Sequence, residues 1–422
     1  MSELYSGLCH QHINPTGGII FCLGDSGGPF DRKGNDMYER SAPLTALSAL
    51  RPGIDIAIVP DGELEQAAAT FYRQILGLES WQIQFAPGGF RTLETSVCGD
   101  MEARIYELAR NGSFVLATSY VHDAAEWLAD RIQVPLYGDS WRWRKQYGKV
   151  ALHSHIDPGK QHSPALDQLD GLIIPKGYVA DTRAELMNAF SALVSAGNTK
   201  LVLKPAFADA GEGIIYLTKH DRRQVEEYDF KFGPAILEER IALAYDRELG
   251  GHVSPSIHWA GPFTGLPTSQ MVEDTEYRGM CYPARLTGSL YAQAISMVRA
   301  YVEFSKPKGF GGVDFICDRD QRLFLCDVNN GRCTEAIPPL LFASQYGVTG
   351  QQVLLTRKYC PEDSIWALWS RLEAAGSAWH PGQSSGGVFP LMHLEEKTGM
   401  LVAQAPTVQE ARALLRQATE TF

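Results

Sequence analysis

The chain has no run of 18 apolar residues and no basic leader with an apolar core at Met1–Gln11. The first absence excludes a membrane-spanning helix, and the second a secretory signal. There is no C-x-x-C pair, no low-complexity run and no internal repeat. The eight cysteines are scattered, so in a chain of this size they read as reduced core thiols of a cytoplasmic protein. Basic residues are in deficit, 38 Lys and Arg against 49 Asp and Glu, for a formal net charge of -11. Phosphate backbones demand clustered cations, so nucleic acid is not the expected partner. Small molecules are. At 422 residues the chain is too long for one ordinary domain.

The most informative stretch is Gly309–Glu335. Two apolar runs, Val313–Cys317 and Leu323–Val328, flank a polar turn, which predicts an antiparallel hairpin centred near Asp320 and Gln321. That centre sets Asp314 opposite Asp327. Alternate residues of a strand share a face, so Asp327 and Asn329 point the same way. Two carboxylates and an amide oxygen then converge at one end of a rigid ribbon. Such hard donors suit Mg²⁺, which shares its remaining positions with water and substrate phosphates. Arg332 follows within reach of a phosphate bound there.

The N-terminal third alternates strands and helices, as an open, largely parallel sheet does. Ile19–Leu23, Ile54–Val59, Trp81–Phe85 and Phe114–Tyr120 read as strands. Asp61 is the expected cap of a helix with Leu64, Ala67, Ala68, Phe71 and Ile75 inward, stopped by Gly77. A second helix is expected near Ala124–Arg131. Neither G-x-G-x-x-G nor G-x-x-x-x-G-K-[ST] occurs here. Gly24-Asp25-Ser26-Gly27-Gly28-Pro29 matches the letters around the nucleophile of trypsin-like serine proteases. Ser26 lies near the start, however, where nothing before it supplies triad partners held by two β-barrels, and the chain reads as α/β, so the stretch reads as a Gly-rich turn after a strand.

Periodicity fades between Tyr137 and Leu169. His153, His155 and His162 fall there at a spacing that fits no standard zinc pattern. Thr182 and Glu185 form a capping box for a helix that turns Leu186, Phe190, Leu193 and Val194 inward and ends at Gly197. Leu201–Leu203 is a strand ending in Lys204. A loop bearing Gly211 and Gly213 follows, before a strand at Ile214–Leu217. A lysine at a strand end beside such a loop is a sensible phosphate clamp, since glycines let backbone N–H groups approach closely. Ala235–Leu237 then runs into Glu238, Glu239 and Ile241, a strand end suited to an adenine slot. Asp246 and Glu248 are placed to accept hydrogen bonds from ribose hydroxyls.

Lys204 with its Gly loop, Glu238-Glu239-x-Ile241, Asp314, and Asp327-x-Asn329 with Arg332 stand in an order that resembles the ATP-grasp superfamily. The resemblance implies an ATP-grasp fold, α/β and α+β, preceded by a Rossmann-like pre-ATP-grasp domain and followed by a small C-terminal α/β unit. The expected division is 1–145, the N-terminal domain; 146–235 and 236–360, the two ATP-gripping subdomains; and 361–422. The resemblance implies that Lys204 contacts ATP phosphates under a loop holding Gly211 and Gly213. Glu238, Glu239 and Ile241 would line the adenine hinge, and Asp314, Asp327 and Asn329 would hold Mg²⁺. Arg332 would be the catalytic residue, stabilising an acyl phosphate and its tetrahedral successor. The superfamily usually carries another phosphate-binding lysine before Gly171–Pro175. Lys160, Lys149 and His155 are available for that place, and Lys160 is assigned to the nucleotide. Ser254-Pro255-Ser256, Gln270, Gly279 and Pro283-Ala284 look like the pheganomycin-type peptide ligase branch.

The resemblance implies a cytoplasmic, ATP- and Mg²⁺-dependent ligase that joins an amino acid or short peptide to an amine in specialised metabolism. An alternative acceptor is the thiol of an acyl carrier protein. The pI of about 5.5 disfavours so acidic a partner unless Arg142, Arg144, Lys145 and Lys149 form a basic patch. A second alternative is an ATP-binding module without turnover, against which the intact acidic set argues. The sequence does not reveal the oligomeric state, a homodimer being the commonest assembly.

Overall fold

The computed structural model describes residues 17–23, 44–86, 100–110, 112–118, 123–139, 146–160, 166–207, 211, 213–260, 266–273, 276–331, 333–346, 352–381, 383, 386–394 and 398–420. The first unit holds β1 (Gly18–Cys22), β2 (Ile56–Pro60), α1 (Glu63–Leu76), β3 (Ile83–Ala86), α2 (Asp100–Arg110), β4 (Phe114–Thr118) and α3 (Asp123–Arg131). Every residue of β1 and β2 is buried, as in a parallel sheet covered on both faces. The four strands are parallel in the order β3-β2-β1-β4. Strand order therefore reverses between β1 and β4, the place where open α/β sheets leave a crevice. The Gly24–Pro29 run that follows β1 lies outside the described residues.

The start of α1 differs from the expectation. Gly62, not Asp61, is the N-cap, and the Asp61 carboxylate instead accepts from Gln66 at 2.6 Å. Ala67 is exposed, and Ala68, Ala69, Phe71, Tyr72 and Leu76 make the buried face. That face packs on an element from the far end of the chain, so its register could not be judged from the helix alone.

The second unit is small: β5 (Gly177–Ala180), α4 (Arg183–Ser195), β6 (Lys200–Pro205), β7 (Ile215–Thr218), α5 (Arg222–Glu226) and β8 (Ala235–Glu239). Its antiparallel sheet runs β5-β8-β6-β7. Leu186, Ala189, Phe190 and Leu193 of α4 close a core with Leu201, Leu203 and Leu237. Thr182 caps α4 by accepting from the Glu185 N–H. The Glu185 carboxylate in return accepts from the Asp181 N–H at 2.8 Å, one residue outside the usual box.

The third unit opens with a two-stranded ribbon, β9 (Tyr245–Asp246) and β10 (Gly251–His252), and continues with β11 (Pro255–Ala260), β12 (Leu266–Glu273), β13 (Glu276–Tyr282), α6 (Gly288–Ser305), β14 (Phe310–Cys317), β15 (Leu323–Asn330) and α7 (Ile337–Tyr346). The chain ends with β16 (Val353–Tyr359), α8 (Ile365–Ala374), β17 (Gly387–Leu394), β18 (Thr398–Ala405) and α9 (Val408–Glu420). One antiparallel sheet of eight strands, β15-β14-β11-β12-β13-β16-β18-β17, takes in both stretches. The boundary expected at 360/361 falls inside this sheet, where Leu355 pairs with Ala403. Beneath it, α6 covers the hairpin end through Ala294, Met297, Val298 and Tyr301.

The first unit and the last strands share one core. Phe71 meets Trp366 and Trp369 edge-on at 5.1 and 5.5 Å, and the Tyr72 hydroxyl donates to the Pro390 carbonyl at 3.0 Å. No described helix is long and apolar enough to cross a membrane.

Candidate functional site

The hairpin β14–β15 turns where its polar residues require. Gln321 has a left-handed φ of 61°, and the Asp318 carboxylate accepts from the N–H groups of Asp320 and Arg322 at 3.0 and 2.8 Å. That turn sets the pairs from Cys317–Leu323 to Phe315–Leu325, and a shift of one residue beyond them places Asp314 directly opposite Asp327. The shift is a bulge after Asp314. Next door on β11, Ser256 pairs with Asp314 and donates to Oδ1 at 2.6 Å; Gln270 on β12 donates to Ser256 Oγ at 2.8 Å. The Asn329 amide donates to the other Asp314 oxygen at 2.9 Å. The three predicted metal ligands thus share one face of one sheet end.

Asp314 is pushed up to about 6, first by burial and second by the Asp327 carboxylate beside it. A carboxylate beside Asp314 raises its proton affinity, which is the situation a divalent cation relieves. On the donor chemistry alone the set fits Mg²⁺: carboxylate and amide oxygens, with no thiolate or imidazole among the three.

Two lysines reach this sheet end, one of them from the small sheet. Lys149, in a 3₁₀ turn (Lys149–Leu152), meets Asp327 Oδ2 at 2.9 Å. Lys204, the last but one residue of β6, donates to the Cys326 carbonyl at 3.0 Å and to Glu238 Oε1 at 2.8 Å. The second Glu238 oxygen meets His153 Nε2 at 3.0 Å. Burial alone would drag Lys204 down and lift Glu238. Their attraction, with the His153 hydrogen bond on Glu238, outweighs it, so Lys204 lies above and Glu238 below the ordinary range. Glu238 is therefore a buried counter-ion facing Lys204. Beyond it, Glu239 is anchored to the backbone of Lys176: its N–H donates to that residue's carbonyl at 2.8 Å, and its Oε1 accepts from the N–H at 2.9 Å. Half-buried Ile241 comes just after β8.

Gly211 and Gly213 both take left-handed φ, 86° and 73°, in the connection from β6 to β7, where side chains would be strained. Glu248 sits in the turn between β9 and β10, with its carboxylate paired to Arg285. Lys160 is not brought to this group. It lies at the outer edge of the small unit, 2.5 Å from Glu185 and 3.9 Å from Asp181. Lys149 takes the position at the acids, while His155 turns to Asp181 at 3.5 Å. Arg332 lies outside the described residues, as do Arg142, Arg144 and Lys145.

A second charged cluster went unread in the sequence. Lys358 on β16 meets Glu335 Oε2 at 2.7 Å and lies 5.3 Å over the Tyr277 ring. Burial, then the charges of Glu335 and Asp314, hold the Tyr277 phenol far above its usual value. The cluster's members come from β13, β16 and the segment after β15, so no short motif advertises them.

No family model matches the chain, and no curated protein does. Solved structures do. N5-carboxyaminoimidazole synthase from Aspergillus clavatus, in complex with ADP and 5-aminoimidazole ribonucleotide, is 16% identical with a TM-score of 0.56, over 95% of this chain and 97% of that one. A biotin carboxylase–βγ-ATP complex from Campylobacter jejuni is 13% identical with a TM-score of 0.57, over 95% and 90%. The biotin carboxylase domain of a Hydrogenobacter thermophilus 2-oxoglutarate carboxylase, with MgADP and bicarbonate, is 14% identical with a TM-score of 0.57, over 98% and 90%. At such identities the likeness is one of fold. The chain has the ATP-grasp fold behind a Rossmann-like domain.

Proposed function

We propose that this chain is an ATP- and Mg²⁺-dependent ligase that phosphorylates a carboxylate and passes the acyl group to an amine. The observation that carries the reading is Lys204, from the small sheet, and Lys149, from the turn packed on β15, both meeting the strand that bears Asp327 and Asn329. Cations on one side and oxygen ligands on the other make a slot for a metal-bound polyphosphate. The ADP and ATP complexes of like fold support it.

Asp314, Asp327 and Asn329 would hold Mg²⁺, which when bound neutralises phosphate charge. Lys149 and Lys204 hold the phosphates, under the loop with Gly211 and Gly213. Glu238 keeps Lys204 charged, Glu239 and Ile241 border the base, and Glu248 meets the ribose. A carboxylate oxygen attacks the γ-phosphorus, and the bond to the departing ADP breaks. The amine then attacks the acyl carbon, phosphate leaves, and one N–H proton goes to a base. Glu335 is the base we assign, with Lys358 holding a substrate carboxylate beside it. Arg332 stabilises the charge that builds on the acyl oxygens.

An amino acid or short peptide as substrate, in specialised metabolism, follows from the pheganomycin-type run through Ser256, Gln270 and Gly279. Ser256 and Gln270 brace Asp314 here, so that run bears on metal geometry as well as on substrate.

The test follows inorganic phosphate and pyrophosphate separately while the protein turns over ATP and Mg²⁺ with pooled amino acids, with and without amines. Amine-dependent phosphate and ADP are expected. Pyrophosphate and AMP would sink the acyl-phosphate route in favour of adenylation.

A further inference from the structure

The turn that carries Glu248 is fixed almost entirely by side chains. Between β9 and β10 the Asp246 carboxylate accepts from the N–H groups of Glu248 and Leu249 at 2.8 and 3.0 Å. The carbonyls of the same two residues accept from one guanidinium: Arg412 Nη1 donates to Glu248 O at 2.7 Å and Nη2 to Leu249 O at 2.6 Å. Both donors and both acceptors of two consecutive residues are thereby taken. The Arg412 fork matches paired carbonyls as it would a carboxylate, which an ammonium cannot do.

Gly250 makes the approach possible. Its φ of 64° suits glycine, and a Cβ there would lie 3.0 Å from Arg412 Nη2. Arg412 itself is anchored. It stands on α9, whose Thr407 and Glu410 cap each other's N–H groups and whose Val408, Ala411 and Leu415 are buried in the main core. On the other side Leu249 is buried in the same core. The turn is thus held to the last helix of the chain, more than 160 residues away.

We infer that Arg412 is a positioning residue for ribose recognition: its guanidinium holds the Arg247–Gly250 turn so that Glu248 meets the ribose hydroxyls of bound ATP. The inference rests on the ATP-binding reading above. One Glu248 oxygen is paired with Arg285. That pairing and the bracketed backbone limit where the carboxylate can lie, and a hydrogen-bonding group must be held within about 0.5 Å to select its partner.

Calorimetry with Mg²⁺ and either ATP or 2′,3′-dideoxy-ATP tests this without knowledge of the acceptor. The unaltered protein is expected to bind ATP about tenfold tighter than the dideoxy form, the worth of a charge-assisted hydrogen bond. Arg412→Met should bring that ratio close to one by weakening ATP alone, with the dideoxy affinity and the thermal midpoint little changed. Arg412→Lys, which keeps the charge and one donor, should fall between, and it serves if Met at 412 prevents folding. A wild-type ratio in the variants overturns the inference, as does an equal loss of both nucleotides. An unaltered protein that binds both forms equally removes Glu248 from the ribose and overturns it too, while leaving the ATP reading standing. Binding of neither overturns the ATP reading itself.

Discussion

Lys149 Nζ and Asp327 Oδ2 lie 2.9 Å apart, an ion pair between the Lys149–Leu152 turn and the hairpin strand it packs on. The lysine supplies positive charge at the acidic pair. Replacing it by methionine leaves Asp314 and Asp327 facing each other with less compensation. Lys149→Met should lower the thermal midpoint in chelator, regain most of the loss in millimolar Mg²⁺, and weaken ATP binding roughly tenfold to a hundredfold. Scanning calorimetry and ATP titration check the two halves separately.

Asp327→Ala and Asp314→Asn should each reduce phosphate release by at least about a hundredfold, the scale of losing one electrostatic contact to a transition state. Folding should survive, because both side chains stand at a sheet end. Near-normal turnover in either variant would remove the hairpin from the chemistry.

Lys204→Met strands Glu238 in the interior with only His153 beside it. Breaking a buried pair by removing one partner costs about 3–5 kcal/mol. The double variant Lys204→Met, Glu238→Gln should recover much of that, measured by urea unfolding. Both should bind ATP poorly.

Lys160→Ala should leave ATP affinity within about twofold, because its partners are Glu185 and Asp181 at the outer edge of the small unit. A large loss of affinity would restore the assignment made from sequence.

Asp139 gives the clearest pH dependence. Burial first of all, against the opposing Lys308 N–H bond and charge, pushes its carboxyl up to about 7. The native state therefore keeps a proton that the unfolded chain, near an ordinary 4, has released. Between those values the native form binds more protons, so stability falls as pH rises, by up to roughly 4 kcal/mol across the window. Above it the penalty is complete, and below it absent. Asp139→Asn keeps an acceptor for Lys308 and should flatten the slope in urea denaturation between pH 4 and 7.

The hairpin could be read because local chemistry sets its turn, and a turn sets the pairs next to it. Asp318, Asp320 and Gln321 place the turn, but Asp314 opposite Asp327 also needs the bulge between Asp314 and Phe315, which shifts the register by one residue. The Thr182–Glu185 cap was legible for the same reason. Lys149 over Lys160 was not, since both occupy short 3₁₀ turns whose placement depends on the sheets around them. Nor could sequence show Glu335 beside Lys358, or Arg412 at Glu248, because those meetings depend on strand order in an eight-stranded sheet. The α1 face was misjudged by one residue for want of its partner, the β17 and α8 aromatics.

That shared core has a consequence for synthesis. Phe71 and Tyr72 leave the ribosome roughly 300 residues before Trp369, Phe389 and Pro390, their partners in the finished molecule. The leading unit must wait with an apolar face uncovered while the rest of the chain is made. Such a nascent chain invites chaperone occupancy during translation, and emergence of α8 and β17 would be the event that lets α1 settle.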